Sequence, residues 1–441
     1  AWNWKTIEID GCDPEACAKA IEEAQAETSR PTIIIGHTIM GRGAVKANGE
    51  SHEGQCDTHG QPLSKSGADY PATVRNLGGD PENPWIIRDE VKQLYASRRE
   101  ELLAIVAERK KAIAEWEAAN PEEAEKLRGY MEGKIPEIDY SAIVHKANVA
   151  TRTASADVLK VLSEKVGNMI VSSADLANSD KTEAFMAHTH ALTHGDFSGA
   201  FLHAGVAELT MASIMNGIAL HGGMIAACGT FFVFSDYMKP AIRMAALQQL
   251  PVKYVWTHDA FRVGEDGPTH QPVEQEAQMR LLEQIRNFSG RRSMLVLRPA
   301  DAAEATVCWK MAMENVYTPT GLIFTRQDVP DLPSTLGDRY QEALGAERGG
   351  YVVMDAAGAQ ITLVGNGSEV ALLCEVALLL EAEGIKARVV SVPSIGLFLD
   401  QDREYRDSVI PPMMPTFGLT AGIPSTPVSY THLRAHETTL H

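Results

Sequence analysis

The chain has 441 residues, room for two to four domains at roughly 100 to 200 residues each. Its 58 acidic residues outnumber 40 basic ones, and the resulting formal charge of −18 repels nucleic acid and anionic membranes at long range. Hydrophobic residues make up 44% and no apolar run approaches the roughly 18 residues that span a bilayer, so the composition predicts a soluble globular protein without a membrane partner.

The opening "WKTIEIDG", "DPEACAKAIEEAQAET" and "RPTIIIGHTIMGRG" read as strand, helix and strand, the unit of a parallel α/β sheet. A polar loop, "ANGESHEGQCDTHGQPLSKSG", follows; it is too long for a simple connector, and such loops are often functional. From Asp89 to about Arg128 apolar residues recur at three- and four-residue spacing (Val91, Leu94, Leu102, Ile105, Ile113, Trp116), which predicts an amphipathic helical linker. Residues 150 to about 330 again alternate helix with short strands, several ending in polar residues. In open α/β sheets ligands gather beyond such carboxyl ends. A third unit, "AQITLVGNGSEVALLCEVALLLEAEGIKARVVSVPS", is a βαβ with strands at 361–364 and 387–392, Ser368 as helix N-cap and Gly384 as stop. The predicted domains are thus 1–88, a helical linker at 89–148, 149–335 and 336–423. The tail 424–441 shows no period and reads as a translated cloning adapter.

Six irregularly spaced cysteines fit reduced thiols in a cytoplasmic protein. The first residues hold neither an initiator Met nor a signal peptide, and the chain is expected to begin inside a domain.

Several clusters are candidates for chemistry. "THDAFRVGEDGPTHQP" follows the buried-looking "PVKYVW" and sets His258, Asp266 and His270 where the sheet opens; composition alone also allows a solvated turn. Glu208 is a single acid at the start of an apolar helix, suited either to the helix dipole or to moving a proton. "TFFVFSDY" aligns Phe231, Phe232, Phe234 and Tyr237, as core or as a wall for a flat heterocycle. His52, Cys56 and His59 invite zinc but lack a fourth ligand nearby, and His432, His436 and His441 in the tail are weaker still. No Walker A, G-x-S-x-G or strand-linked G-x-G-x-x-G sequence occurs.

Taken in order, "THGQPLS", "SSADLANSD", "GVAELTMASIMNGIALHGG", "GTFFVFSDY", "THDAFRVGEDGPTHQPVEQ", "LRPAD", "FTRQD" and "GSEVALL" resemble the landmarks of transketolases over residues 1–423. The resemblance implies successive α/β domains with parallel sheets: the end of a diphosphate-binding domain, a complete pyrimidine-binding domain and the start of a C-terminal domain. It implies a homodimer with the active site at the subunit interface, thiamine diphosphate and Mg2+ as cofactors, and phosphorylated sugars as substrates. The implied reaction moves a two-carbon ketol unit from xylulose 5-phosphate to ribose 5-phosphate or erythrose 4-phosphate, in the pentose phosphate pathway. The alternatives are deoxyxylulose-phosphate synthase, dihydroxyacetone synthase, or a non-catalytic transketolase-like subunit.

Carried over residue by residue, Glu208 is implied to bond the cofactor's aminopyrimidine, with Phe231, Phe234 and Tyr237 as the aromatic wall and Asp175 as a further cofactor contact. His270 and His59 are implied to move protons on sugar hydroxyls, and His59 also to reach the diphosphate. Asp266 is implied to read a hydroxyl, and Arg152, Ser179, His258 and Arg326 to bind the substrate phosphate. The family's Gly-Asp-Gly…Asn metal motif is absent from this sequence, so no metal ligand is assigned and the chain alone is expected to be inactive and to bind the cofactor poorly.

Overall fold

The computed structural model describes residues 3–424. The chain forms two compact units, one up to Glu115 and one from Trp116 onward. In the first, β1 (Lys5–Asp10) and β2 (Thr32–His37) pair in parallel from Lys5↔Thr32 to Asp10↔His37. They are joined by α1 (Pro14–Ala26), whose N-cap Asp13 accepts from the Glu15 amide and whose first position is Pro14. This is the expected strand, helix and strand. The polar loop leads to the short α2 (Tyr70–Asn76) and then to α3 (Asp89–Ala119), 31 residues with none buried. The predicted helix to Arg128 is interrupted: Asn120 leaves helical geometry (φ −134°, ψ 64°) before Pro121, as a residue preceding proline must, and α4 (Pro121–Met131) starts afresh.

The second unit contains a six-stranded parallel sheet of β3 (Met169–Ser173), β4 (Phe201–His203), β5 (Ile225–Phe231), β6 (Lys253–Thr257), β7 (Leu295–Leu297) and β8 (Thr320–Phe324), in the order β4-β3-β5-β6-β8-β7. Helices cover both faces. On one, α5 (Thr151–Lys165) and α10 (Ala302–Glu314) pack over Val171, Ala227, Val255, Leu322 and Phe324. On the other, α7 (Glu208–His221), α8 (Ser235–Gln248) and α9 (Gln275–Gln284) pack over Ile170, Ala226, Tyr254, Trp256 and Ile323. Neighbouring strand residues therefore belong to opposite cores, and β3, β6 and β8 are buried along their whole length, which explains their unbroken apolar runs. A four-residue helix, α6 (Ala177–Asp180), follows β3.

Beyond α11 (Arg339–Ala343), a four-stranded sheet runs β12-β10-β11-β9, built from β9 (Tyr351–Met354), β10 (Ile361–Gly365), β11 (Ala387–Ser391) and β12 (Thr416–Gly418), with only β9 antiparallel. Helices α12 (Glu369–Ala382), α13 (Ile395–Asp400) and α14 (Arg403–Val409) complete it. The βαβ forms as predicted, but Ser368 makes no capping hydrogen bond: its backbone is already helical (φ −60°, ψ −18°) and its hydroxyl turns to Glu369 at 3.3 Å. The tail from residue 425, with its three histidines, lies outside the described residues.

Candidate active site

The carboxyl ends of β3, β5, β6 and β8 carry the polar cluster. Its foundation is a reciprocal bond between segments far apart in sequence: the Thr151 hydroxyl accepts from the Thr325 amide at 2.7 Å, and the Thr325 hydroxyl accepts from the Thr151 amide at 2.9 Å. The start of α5 is thereby stitched to the end of β8, and the next residue of each, Arg152 and Arg326, becomes one of a pair of neighbouring cations. Burial, and then Arg326, lowers the Arg152 pKa. Arg152 donates from Nη1 to the Ser179 carbonyl (2.7 Å) and weakly to its hydroxyl (3.4 Å), while its buried Nε has no partner among the described residues. The next residue, Asp180, is a fully buried carboxylate that accepts from the Ser173 hydroxyl (2.7 Å) and from the Thr182 hydroxyl and amide (2.6 and 2.9 Å). Burial raises the Asp180 pKa to about 6.

His258 follows β6 with a left-handed backbone (φ 60°), an uncommon conformation for a residue with a side chain. Its ring stacks on Phe231 at 3.6 Å between centroids, and Nδ1 lies 3.0 Å from the Thr257 hydroxyl. Burial, then Arg152, Arg326 and His270, push its pKa down to about 3. An aromatic face favours imidazolium by about 2 kcal/mol when desolvated, which burial and the two neighbouring guanidinium groups oppose. His258 is therefore a neutral hydrogen-bonding group at neutral pH.

The loop after β6 contains two single-turn helices, 264–266 and 268–270. Gly264 (φ +78°) lies against Arg326: a Cβ there would sit 2.8 Å from Nη2. Glu265 reaches Arg326 only at 3.8 Å and is 90% exposed, so the pairing is weak. Arg262, 5.9 Å from the Phe261 ring, makes a surface contact within the loop. His270 accepts or donates at Nδ1 with the Thr269 hydroxyl (2.8 Å) and stands edge-on to Phe234 at 5.2 Å and to Phe231 at 6.2 Å.

The aromatic row divides. Phe231 and Phe234 stack at 5.9 Å with their planes 9° apart, forming a flat apolar surface, whereas Phe232 turns into the core against Trp256. Tyr237 meets Phe234 at 6.0 Å but is 62% exposed. Glu208 opens α7, is buried at 8% exposure, and its carboxylate has no hydrogen-bond partner among the described residues. Asp266 and Asp175 are exposed and make no side-chain hydrogen bond among those residues, Asp175 at a left-handed turn (φ 63°).

In the first unit, His59 is exposed after the single turn 56–58. His52 instead is buried, with Nε2 at 2.8 Å from the Ser66 carbonyl and 3.3 Å from Asp57. Among the described residues no three His, Cys, Asp or Glu side chains gather to hold a metal ion. Sequence reasoning missed Thr257, Asp180 and the Thr151–Thr325 pair. The first two were visible as polar neighbours of chosen residues; the last joins positions 174 apart and left no local signal.

Family models match the chain in order: "Transketolase, thiamine diphosphate binding domain" over residues 1–136, "Transketolase, pyrimidine binding domain" over 147–331, and "Transketolase-like TK C-terminal domain" over 349–440. Together with the parallel sheets, they define a thiamine-diphosphate-domain protein. Transketolase of Geobacillus stearothermophilus is 38% identical over 93% of this chain and 60% of its own length, and that of Halalkalibacterium halodurans 39% identical over 93% and 59%. The solved transketolase of Leishmania mexicana superposes with a TM-score of 0.86 at 31% identity (97% of this chain, 61% of that one). The Pichia stipitis transketolase in complex with sedoheptulose 7-phosphate gives 0.81 at 33% (95% and 60%). The chain belongs to the transketolase family, and it spans about 60% of the length of these relatives.

Proposed function

We propose that the protein serves as a transketolase, transferring a two-carbon ketol unit from xylulose 5-phosphate to an aldose phosphate such as ribose 5-phosphate. One observation carries the reading. Arg152, Arg326 and His258 converge beside an apolar stacked pair and His270, so that charge for a phosphate, a surface for a flat ring and a proton-transferring imidazole occupy one sheet end.

The residues fit thiamine diphosphate at its pyrimidine end: Phe231 and Phe234 offer the flat surface, and Glu208 is a buried carboxylate without a hydrogen-bond partner among the described residues. When bound, that cofactor supplies a carbanion-stabilising thiazolium. Glu208 holds a proton at the pyrimidine nitrogen, and Tyr237 and Asp175 border the cofactor. Arg152, Arg326, Ser179 and His258 fix the substrate phosphate; Asp266 reads a hydroxyl; His270 and His59 move hydroxyl protons. Mg2+ as second cofactor, a cytoplasmic location and a homodimer with shared active sites belong to the same reading. It is supported by the neutral His258, which donates one N–H without adding another buried charge.

The chain should bind xylulose 5-phosphate and not xylulose, and turnover, measured in a version extended to the full length of its relatives, should require thiamine diphosphate with a divalent cation. Glu208→Ala should lower that turnover by about 10²- to 10⁴-fold. Equal affinity for the two sugars, or turnover indifferent to the cofactor, would sink the proposal.

A further inference from the structure

Arg298 follows β7 and is the largest charged side chain wholly inside the second unit, at 1% exposure. It donates to Asp259 Oδ2 from Nε (3.1 Å) and Nη2 (2.6 Å), and on its other side to Glu369 Oε2 (2.6 Å), Glu369 Oε1 (3.2 Å) and Asn366 Oδ1 (2.7 Å). Asp259 belongs to the loop after β6, while Asn366 and Glu369 stand at the end of β10 and the start of α12. One guanidinium therefore joins the two sheets of this unit. The joint is tight: a Cβ on Gly367 would lie 2.6 Å from Arg298 Nε, and the Gly367 amide donates to the Arg298 carbonyl at 3.1 Å.

Asp259 is the residue next to His258. Its Oδ1 is buried and has no partner, so among the described residues Arg298 alone holds this carboxylate. His258 keeps a left-handed backbone, which persists only where the surroundings over-determine it. The Phe231 stack and the Thr257 hydroxyl fix its ring; the pinned Asp259 fixes the backbone on its far side.

We propose that Arg298 is a positioning residue through which the C-terminal sheet sets the phosphate affinity of the Arg152–His258–Arg326 cluster, by pinning Asp259 and so aiming His258. This rests on reading that cluster as the substrate-phosphate site. Arg298 touches no substrate, and its action passes entirely through the 258–259 backbone. A lysine could replace its charge but not the fork that grips two carboxylates in opposite directions.

The test titrates the full chain with inorganic phosphate, reading affinity by calorimetry and the His258 ring nitrogens by NMR. Arg298→Met is expected to weaken phosphate binding by about 2- to 30-fold, the span of typical long-range couplings, and to shift the His258 resonances even without phosphate. Arg298→Lys should recover part of the loss. Glu369→Gln, which leaves the Arg298–Asp259 pair in place, should act in the same direction more weakly. A folded Arg298→Met protein with wild-type affinity, or with unmoved His258 resonances, overturns the inference. Should Arg298→Met fail to fold, wild-type affinity in both Arg298→Lys and Glu369→Gln overturns it equally. Arg326→Leu separates the two levels: if the wild type does not bind phosphate, or Arg326→Leu binds as well, the phosphate reading itself falls and the inference with it.

Discussion

The two ends of the six-stranded sheet treat their cations in opposite ways. At the carboxyl ends, Arg152 and Arg326 stand side by side, with Asp328 and the buried Asp180 acting on Arg152 and the exposed Glu265 3.8 Å from Arg326. At the amino end of β6, Lys253 is 2% exposed, donates to the Asn315 carbonyl at 2.7 Å, and lines a cavity of about 330 Å3 with Asn168, Gly223 and Pro251. Burial pulls the Lys253 pKa down to about 7. A lysine escapes an unfavourable site by releasing its proton, whereas a guanidinium stays charged. The arginine end thus keeps its two positive charges, to which an anion can bind, whereas the lysine end relieves itself.

The strongest way to break this contrast is Arg326→Leu. Hydrogen bonds to charged groups are worth about 1.5 to 3 kcal/mol, so phosphate affinity should fall by roughly 10- to 100-fold. Thermal unfolding should show no loss of stability, because repulsion from Arg152 is removed with the charge. A large fall in melting temperature would mean that the guanidinium is structural.

Lys253→Met should do the reverse. Phosphate affinity is unchanged, and stability at pH 7 rises by about 1 kcal/mol in urea unfolding, since desolvation relief exceeds the lost carbonyl bond. The pH dependence has a definite sign. The unfolded lysine binds its proton below about 10.5 and the folded one only below about 7, so wild-type stability rises with pH between these values. The variant should lose that rise; an unchanged profile refutes the neutral lysine.

The smallest effect belongs to His258. Its ring resonances should stay flat from pH 8 to pH 5, and Arg152→Ala should raise its pKa, because Arg152 is among the groups that depress it. An unfolded histidine takes up a proton below about 6.5 and folded His258 only near 3, so this residue withdraws stability as pH falls through that window. Replacement by Gln should flatten that part of the acid unfolding curve.

Most of the fold was legible because its signals are local. The run "VKYVW" is buried on both faces, and "DPEACAKA" carries its own cap and proline. The break at Asn120–Pro121 is equally local, though the apolar period of the helix runs on past it. In the candidate site, His258 and His270 follow a buried strand, Phe231 lies in an aromatic row and Glu208 opens an apolar helix, all visible locally, and the structure sets His258 and His270 against Phe231. What the sequence concealed is the scaffolding. Arg298 meets partners 39, 68 and 71 positions away, and no period or motif connects them. Exposure was equally hidden, since nothing in "SSAD" or "GEDG" tells that Asp175 and Asp266 face outward.

The Arg298 joint bears on modularity. In sequence, the pyrimidine-binding and C-terminal regions part cleanly between residues 331 and 349. In space they share a core running from Val255 and Phe324 to Leu363 and Val389, and Arg280 crosses the same boundary to the Pro393 carbonyl. A chimaera cut at that seam would inherit Arg298 and Asp259 from one parent and Asn366 and Glu369 from the other. Unless Arg298, Asp259 and Glu369 matched, a charge would be stranded inside the recombinant at a cost of roughly 3 to 5 kcal/mol. Recombination here is governed by shared salt bridges, and these four positions should travel through evolution as one heritable set.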